Sequence, residues 1–160
     1  LKFWLIPKYT EKLAESGRAR FYFACEGDEV KAYCVLHIFG GYTQLLYFAV
    51  DPSARGAGVG SAVLPLIRAA AGGTLVLEVE DPAEAKGDAD FAVRKRRIAF
   101  YERAGFEMLK GVRLLIPGGV LRPMADGNVE GDLPALWLAM YRELAGAFGI
   151  FLRTDDAGAE

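Results

Sequence analysis

The chain has 160 residues, of which 52% are hydrophobic and 25% are charged, and its formal net charge is -2. This length is enough for one domain with a substantial hydrophobic core. The small net charge gives no bulk attraction to nucleic acid, and no apolar run approaches the roughly 20 residues that span a bilayer. We therefore expect a single domain over residues 1–160, with neither nucleic acid nor a membrane among its partners.

The N-terminus and the two cysteines indicate the compartment. The first six residues are too short for a signal peptide and lack its cleavage site, and the chain opens with Leu1. Cys25 and Cys34 have no metal-ligand spacing. A two-residue turn at Gly27-Asp28 pairs position 25 with 30 and position 34 with 21, so the cysteines do not face each other. We expect two reduced, buried thiols in a cytoplasmic protein.

The first 50 residues predict a short helix followed by three strands in hairpin order. The helix covers residues 7–18 and ends at Gly17, and the strands cover 20–26, 30–39 and 43–50, with turns at Gly27-Asp28 and Gly40-Gly41. The only histidine, His37, lies in the middle of the second strand. We expect it to be a half-buried structural residue, with a role as a base as the alternative.

The rest of the chain predicts alternating helices and strands. The predicted elements are a helix over 58–71 with Pro65 inside it, a strand over 74–80, an acidic loop over 81–92, a helix over 93–104, a strand over 106–116, a Gly/Pro-rich loop over 117–133, a strand over 134–140, a helix over 142–151 and a frayed tail over 154–160. Because proline removes a helical N–H and its ring clashes with the preceding turn, Pro65 predicts a kink or a late helix start.

A glycine-dense loop joins the third strand to the following helix. After Asp51-Pro52 comes Arg55-Gly-Ala-Gly-Val-Gly60, and the helical run starts directly after it at Ser61. Such a loop exposes successive backbone N–H groups without Cβ atoms in the way, and the helix dipole favours an anion there. The segment therefore predicts a pyrophosphate site.

Two alternatives compete for this loop. It also fits a loose dinucleotide-binding fingerprint, with Glu78 or Glu80 as the ribose-binding acid on the next strand. Against this, residues 51–55 separate the strand from the glycines, and the third glycine of that fingerprint is misplaced. A glycine-rich connector without a ligand is the second alternative.

A second segment, Ile98-Ala-Phe-Tyr-Glu-Arg-Ala-Gly-Phe106, decides between them. Its apolar residues recur at helical spacing, Gly105 suits a helix end, and Phe106 restarts an apolar strand. Together with the Arg-x-x-Gly-x-Gly pattern of residues 55–60, in this order, the segment resembles the GNAT N-acetyltransferases. The resemblance covers residues 21–141.

This resemblance implies an α/β fold of the GNAT acyl-CoA N-acyltransferase type, with a mixed central sheet whose N-terminal half is antiparallel. It implies an acetyl-CoA-dependent N-acetyltransferase that acts on a primary amine of a small molecule or a peptide N-terminus, without a metal. The implied binding residues are Phe48, Ala49 and Val50 for the pantetheine arm and Arg55, Gly56, Ala57, Gly58, Val59, Gly60 and Ser61 for the pyrophosphate. The first strand of the GNAT fold is not visible in the sequence, so a truncated or shortened fold is expected.

Three side chains are the catalytic candidates. Tyr101 matches the tyrosine that protonates the departing thiolate in many GNAT enzymes, and the alternative is a packing tyrosine. Glu78 matches a glutamate that acts as a base in ribosomal-protein N-terminal acetyltransferases. Strand alternation puts Glu80 on the same face, where two like charges raise each other's pKa. The alternative for both acids is a solvated or salt-bridged strand residue.

The sequence departs from the family at one position. Many GNAT chains have an asparagine seven residues before the motif tyrosine, where this chain has Arg94. Arg94 is a candidate for contact with the CoA phosphates, and a solvated basic face is the alternative. The acidic 81–92 loop favours a cationic acceptor on electrostatic grounds. A degenerate acyl-CoA-binding regulatory module and a dinucleotide-binding oxidoreductase are the alternative functions, and we expect a monomer or a homodimer.

Overall fold

A computed structural model describes the backbone of residues 6–145 and 153–155 and the side chains of residues 11–144. In chain order, its helices and strands are α1 (Ile6–Glu15), β1 (Ala19–Glu26), β2 (Glu29–Phe39), β3 (Tyr42–Val50), α2 (Val59–Ala71), β4 (Thr74–Glu80), α3 (Asp88–Arg103), β5 (Glu107–Met108), β6 (Arg113–Ile116), β7 (Gly119–Ala125), α4 (Leu133–Ala145) and β8 (Arg153–Asp155). Short 3₁₀ turns follow β3 and β4, at Pro52–Ala54 and Pro82–Glu84.

The strands form one mixed sheet in the order β1-β2-β3-β4-β7-β6-β8, with β5 paired to β7 beside β6. The pair β3–β4 is parallel, and the other pairs are antiparallel. A parallel pair needs a crossover connection, which α2 supplies between β3 and β4. The expected mixed sheet with an antiparallel N-terminal half and flanking helices is confirmed.

The two N-terminal hairpins turn where the glycines predict. Gly27 and Gly40 have φ angles of 60° and 58°, a left-handed conformation that a residue with a Cβ rarely adopts. A β-bulge between Ala24 and Cys25 moves the register, so Cys34 pairs with Tyr22 and not with position 21. Both cysteines are free, but only Cys34 is buried, so the prediction of a buried Cys25 is wrong.

Strand β4 separates two hydrophobic clusters. Leu75, Leu77 and Val79 point to one face, where they pack with residues of α2 and α3. Val76 points to the other face and packs with Trp137 and other residues of α4. The alternation along β4 agrees with the sequence prediction, and it puts Glu78 and Glu80 on the α4 side.

Helix α2 tolerates its internal proline. It begins at Val59, runs through Pro65 and ends at Gly72, whose φ is 69°. Of the two effects predicted for Pro65, the late start is therefore wrong, and the kink stays a prediction. Pro65 is exposed, so its ring faces solvent and leaves the buried face of α2, with Leu64 and Ile67, undisturbed.

Helix α3 starts five residues earlier than predicted, and acidic residues occupy its first turn. Asp88 and Asp90 lie in its first turn, where carboxylates favour the positive end of the helix dipole. The Asp90 carboxylate accepts from the backbone N–H of Lys86 at 2.8 Å and pairs with Arg94 one turn later at 2.9 Å. The prediction of a loop over residues 81–92 is therefore wrong for residues 88–92, which are helical.

The segment 106–133 contains more strand than predicted. The expected strand over 106–116 is broken into β5 and β6, with Gly111 at φ 76° between them. Inside the expected loop over 117–133 lies β7, which pairs with β4 on one side and with β5 and β6 on the other. Pro123 made this strand hard to predict, since proline is rare in central strands.

The last predicted elements are also corrected. Residues 134–140 are helical and belong to α4, which buries Trp137, Met140 and Leu144 at helical spacing. The predicted helix over 142–151 overlaps the end of α4, and the rest of it lies outside the described residues. Residues 153–155, part of which was expected to fray, pair with β6 as β8, and the last five residues are not described.

Candidate active site

Strands β3 and β4 pair at one end only. Their ladder joins Tyr42, Thr43 and Gln44 to residues 74–76, although β3 continues to Val50 and β4 to Glu80. Along residues 45–50, β3 still pairs with β2 on its other edge. Within the described residues, no strand pairs with this part of β3 on the β4 side. The two strands therefore leave a gap between them, and Phe48, Ala49 and Val50 lie along its β3 edge, where β4 does not pair.

The glycine loop lies where this gap meets α2. Gly56 and Gly58 have φ angles of 81° and 80°, so both adopt the left-handed conformation, and Gly58 has no side chain with which to cap the helix. The amide of Ala62 donates to the Gly58 carbonyl at 3.0 Å. The N–H groups of residues 59–61 precede this bond at the positive end of the dipole. The loop therefore has the geometry of an anion site.

Arg55 and an adjacent groove shape the surroundings of the loop. The Arg55 Nε donates to the Val50 carbonyl at 3.1 Å, which folds the loop back onto the end of β3. A groove of about 220 Å³ lies beside the loop between α2 and α3. Its lining includes Ser61, Pro65, Phe100 and Arg103, so it combines an apolar surface with a cationic rim.

Glu78 lies on the α4 side of β4, and one of its oxygens is held by two donors. Its Oε1 accepts from the Gln44 Nε2 at 2.7 Å and from the Trp137 Nε1 at 2.6 Å. Burial raises the pKa of Glu78 from 4.5 to about 7, although both hydrogen bonds act in the opposite direction. Such a carboxyl changes protonation state near neutral pH, as a general base must.

Glu80 is in a different environment from Glu78. It forms a salt bridge with Arg97 of α3, and both side chains are about half exposed, at 45%. The raised pKa of Glu78 results from burial and not from repulsion by Glu80, so that part of the expected cause is wrong. Of the roles considered for Glu80 from the sequence, the structure shows the salt-bridged strand residue.

Tyr101 lies on the opposite side of the sheet from Glu78, in the cluster of α2 and α3. Its ring makes edge-to-face contacts with Phe100 at 5.1 Å and Phe106 at 5.5 Å between centroids. Burial raises the pKa of Tyr101 to about 12. The phenol therefore keeps its proton at neutral pH and can act as a hydrogen-bond donor while it packs.

Arg94 connects the start of α3 to the end of β4. Its guanidinium pairs with Asp90 at 2.9 Å and donates to the Asp81 carbonyl at 2.7 Å. These contacts hold the 81–87 connection against the helix. The predicted contact of Arg94 with CoA phosphates stays a prediction, and the structure gives the side chain a positioning role in the fold.

The comparison with protein families identifies the chain. Residues 17–108, more than half of the sequence, match the family model described as an acetyltransferase (GNAT) domain. This chain belongs to the GNAT acetyltransferase family. The alternative of a dinucleotide-binding oxidoreductase is not supported by this match.

Solved structures agree with the GNAT fold. A GNAT-family protein from Bacteroides thetaiotaomicron matches with a TM-score of 0.66 and 23% identity over 87% of this chain and 80% of its own. The ribosomal-protein-S18-alanine N-acetyltransferase of Escherichia coli matches with a TM-score of 0.52 and 23% identity over 77% and 81%. The PaiA N-acetyltransferase of Thermoplasma acidophilum, in complex with coenzyme A, matches with a TM-score of 0.55 and 15% identity over 74% and 67%. No curated protein sequence matches the chain.

The GNAT chain thus brings some predicted site residues together and separates others. Phe48 to Val50 lie on the part of β3 that does not pair with β4, shortly before the glycine loop, whereas Glu80 pairs with Arg97 and shares no partner with Glu78. Sequence reasoning missed Gln44 and Trp137, the two donors to Glu78. The spacing of Leu133, Trp137, Met140 and Leu144 was the helical signal that predicts one face of α4.

The part of the chain that the structure describes contains neither a metal-ligand cluster nor a membrane-spanning helix. Over that part of the chain, no group of three or more His, Cys, Asp or Glu side chains has the geometry of a metal site. None of the helices in the same part is long and apolar enough to cross a bilayer.

Proposed function

We propose that this GNAT acetyltransferase transfers the acetyl group of acetyl-CoA directly to a primary amine of a small molecule or a peptide N-terminus. The observation that carries the proposal is the gap between β3 and β4, which ends at the glycine loop and the N-terminus of α2. A linear ligand with an anionic middle fits this shape, because backbone groups line the gap and N–H groups end it.

Each part of acetyl-CoA has a complementary surface. The pantetheine arm contains amides, which pair with the open edge of Phe48, Ala49 and Val50 as an added strand does. The pyrophosphate binds the N–H groups of the loop from Arg55 to Ser61. The groove between α2 and α3, with Arg103 at its rim, is positioned to receive the nucleotide end.

The reaction needs one proton acceptor and one proton donor. The amine nitrogen attacks the thioester carbonyl, so that a C–N bond forms and the C–S bond breaks. Glu78 takes the proton that the ammonium group must lose before attack, and Tyr101 supplies a proton to the departing CoA thiolate. The second proton that the nitrogen loses after attack then restores the phenol of Tyr101. The products are the acetamide and CoA. No acyl-enzyme is needed, and the metal-free mechanism follows from these two groups.

Glu78 and Tyr101 lie on opposite faces of the sheet, and the gap is what connects them. Glu78 lies on the α4 face and Tyr101 on the α3 face. A thioester held between β3 and β4 would present its carbonyl to an amine from one face and its sulfur to the phenol from the other. This arrangement separates the base from the acid, so that neither neutralises the other.

The electrostatic argument for a cationic acceptor is weakened by the structure. Asp81 is buried and lies 3.5 Å from Arg113 and 3.8 Å from Arg122, and Glu84 lies 3.9 Å from Arg113. These acids are therefore partly neutralised within the fold. The acceptor class proposed here is a primary amine, and a mass-spectrometric screen of amines and peptides with acetyl-CoA would identify it.

A thermal-shift experiment tests the CoA site. A ligand whose concentration is about 100 times its dissociation constant stabilises the folded state by roughly 2.7 kcal/mol. For a protein of this size, this raises the melting temperature by about 5–10 °C. We expect acetyl-CoA to give this shift and NAD and NADP to give none. A Gly58→Glu change should abolish the shift, because its side chain blocks the loop and repels the pyrophosphate.

The matched control is Gly40→Glu. Gly40 is also left-handed, with φ 58°, but it lies in the β2–β3 turn away from the loop. This variant carries the same charge and a similar backbone strain, so it should keep the acetyl-CoA shift. A shift from NAD equal to that from acetyl-CoA, or an unchanged acetyl-CoA shift in Gly58→Glu, would contradict the proposal.

A further inference from the structure

A chain of polar side chains runs from Glu78 along the α4 side of the sheet to Glu143 of α4. Gln44 donates to Glu78 at 2.7 Å, and the Gln44 Oε1 lies 3.1 Å from the Nδ1 of His37. The His37 Nε2 lies 3.4 Å from the Oε1 of Glu143, which also accepts from Arg18 at 2.6 Å. His37 and Gln44 are both 0% exposed.

The hydrogen-bond polarity of this chain is fixed by its ends. Because the amide nitrogen of Gln44 faces Glu78, its oxygen faces His37 and must accept a hydrogen from Nδ1. On the other side of the ring, the Nε2 faces a carboxylate oxygen of Glu143 at 3.4 Å. Burial alone would raise the pKa of Glu143, but its hydrogen bonds with Arg18 and His37 outweigh burial and lower it. Both ring nitrogens of His37 therefore face oxygens, and Gln44 keeps its amide nitrogen on Glu78 only while the Nδ1 of His37 carries a hydrogen.

The opposite polarity would change the state of Glu78. If His37 lost the hydrogen on Nδ1, the Gln44 amide would turn its nitrogen to the ring and its oxygen to Glu78. An amide oxygen repels a carboxylate but accepts a hydrogen from a protonated carboxyl group. The orientation of one buried amide thus links the hydrogens of His37 to the basicity of Glu78.

We propose that His37 is a positioning residue for the base: through Gln44, it holds an N–H donor against one oxygen of Glu78 and keeps the other oxygen free, as a carboxylate, for the amine. This inference rests on the proposed function, because it takes Glu78 to be the general base. It assigns a function to the two fully buried polar residues of the sheet, and it replaces the purely structural role expected for His37.

The groups that face this chain are few and can be named. Glu78 is faced by Gln44 from β3 and by Trp137 and Tyr141 from α4, and the charge of Glu78 is one of the causes that raise the pKa of Tyr141. His37 is faced by Gln44 from β3 and by Glu143 from α4, with Arg18 beyond Glu143. Changes at His37 can therefore be followed at Glu78 without an acceptor substrate.

The indole N–H of Trp137 is the probe. It donates to Glu78 at 2.6 Å, and the chain has two tryptophans, so a Trp4→Phe change assigns its NMR resonance. In the wild-type protein, we expect this resonance to titrate with a midpoint of about 7, as Glu78 does. Glu78→Gln should abolish the titration, and Glu80→Gln should leave it unchanged, because Glu80 pairs with Arg97 outside the chain of hydrogen bonds.

Substitutions at His37 and Gln44 then test the link. Loss of one hydrogen bond to a charged group shifts the midpoint of its titration by about one pH unit. His37→Leu should raise the midpoint by about that amount, whereas His37→Asn should restore it, because the Asn Nδ2 replaces the Nδ1 donor. Gln44→Leu should raise the midpoint too, and adding His37→Leu to it should have no further effect, since the link is already broken.

A second measurement keeps the test independent of these buried substitutions. His37 is the only histidine, so ¹⁵N-histidine labelling of tag-free wild-type protein gives one imidazole, and we expect a hydrogen on its Nδ1, which faces the Gln44 oxygen. A bare Nδ1 would overturn the proposal, as would a His37→Leu shift that persists in the Gln44→Leu background. A further outcome is that His37 is coupled to Glu78 through Gln44 as expected while Glu78→Gln retains full acetyltransferase activity. In that case Glu78 is not the base, but His37 still positions its carboxylate.

Discussion

One oxygen of Glu78 accepts from both Gln44 and Trp137, and the second oxygen is left for another donor. Two donors on one oxygen fix the plane of the carboxylate, so its free lone pairs have a defined direction. Burial alone would produce a protonated acid of no fixed orientation. The combination of burial and two N–H groups instead gives a base that titrates near neutral pH.

The first prediction concerns this base. Glu78→Gln keeps the shape and removes the basicity, so kcat/KM at neutral pH should fall about 100-fold with the acceptor identified by the screen. The wild-type kcat/KM should rise with pH through about 7 as Glu78 ionises. The loss in the variant should shrink as the pH approaches the pKa of the amine, because free amine then becomes available.

Glu80→Gln is the matched comparison, since Glu80 lies on the same strand and face but pairs with Arg97. It should reduce kcat/KM less than Glu78→Gln. If Glu80→Gln is the more damaging change, the wrong glutamate has been assigned. If neither change matters, the proton leaves through water.

Tyr101 is the second residue whose role kinetics can decide. Its phenol is protonated at neutral pH, because burial raises its pKa to about 12. Tyr101→Phe should lower kcat by about 10- to 10⁴-fold with little change in acetyl-CoA affinity, measured by steady-state kinetics and by the thermal shift. Near-normal turnover would assign Tyr101 to packing against Phe100 and Phe106 alone.

At the scale of the elements, the N-terminal half was predictable because its signals are local. Each hairpin turn contains a glycine that adopts a left-handed φ, and each strand alternates or carries a continuous apolar run. The glycine loop was predictable for the same reason, since Gly56 and Gly58 are needed by the backbone itself. The first part of the site therefore follows from sequence neighbours.

The C-terminal half was not predictable in the same way. In β7, Pro123 and the Gly118-Gly119 pair indicate a loop, but pairing with β4, β5 and β6 overrides this local preference. In α4, the apolar run from Leu133 to Met140 has the length of a typical strand. Its helical spacing can be recognised only when Tyr141 and Leu144 are included. Tertiary contacts decided both elements.

The environment of Glu78 was the part of the site that sequence could not predict. Gln44, Glu78 and Trp137 come from β3, β4 and α4, and they meet only because the sheet order places β3 beside β4 with α4 across both. Their spacings in the chain carry no signal for this contact. Residue type predicted that Glu78 could be a base, and topology decided that Glu78 is desolvated beside Gln44 and Trp137 while Glu80 pairs with Arg97. The extent of a single domain over residues 1–160 stays a prediction.

At the scale of the whole molecule, a buried base lowers stability. A carboxyl whose pKa is raised in the folded state binds its proton more tightly there than in the unfolded chain, so stability falls as pH rises between the two pKa values. For Glu78 these are 4.5 and about 7. The folded protein therefore loses stability across this window, by up to about 3 kcal/mol at one unit of pKa per 1.36 kcal/mol.

The last prediction follows from this cost. Glu78→Gln carries no charge at any pH, so it should match the stability of the wild type near pH 4.5 and exceed it progressively above that, with the full difference reached above about pH 7. A difference of this size corresponds to a rise in melting temperature of several degrees for a protein of this length. Thermal melts of both proteins across this pH range, without ligand, measure this difference in stability.

Glu80→Gln, which removes an exposed salt bridge, should change the melting temperature little at any of these pH values. A Glu78→Gln protein that is less stable than the wild type above neutral pH would mean that the two hydrogen bonds to the carboxylate outweigh its burial, and that this acid is ionised throughout the range in which it was expected to act as a base.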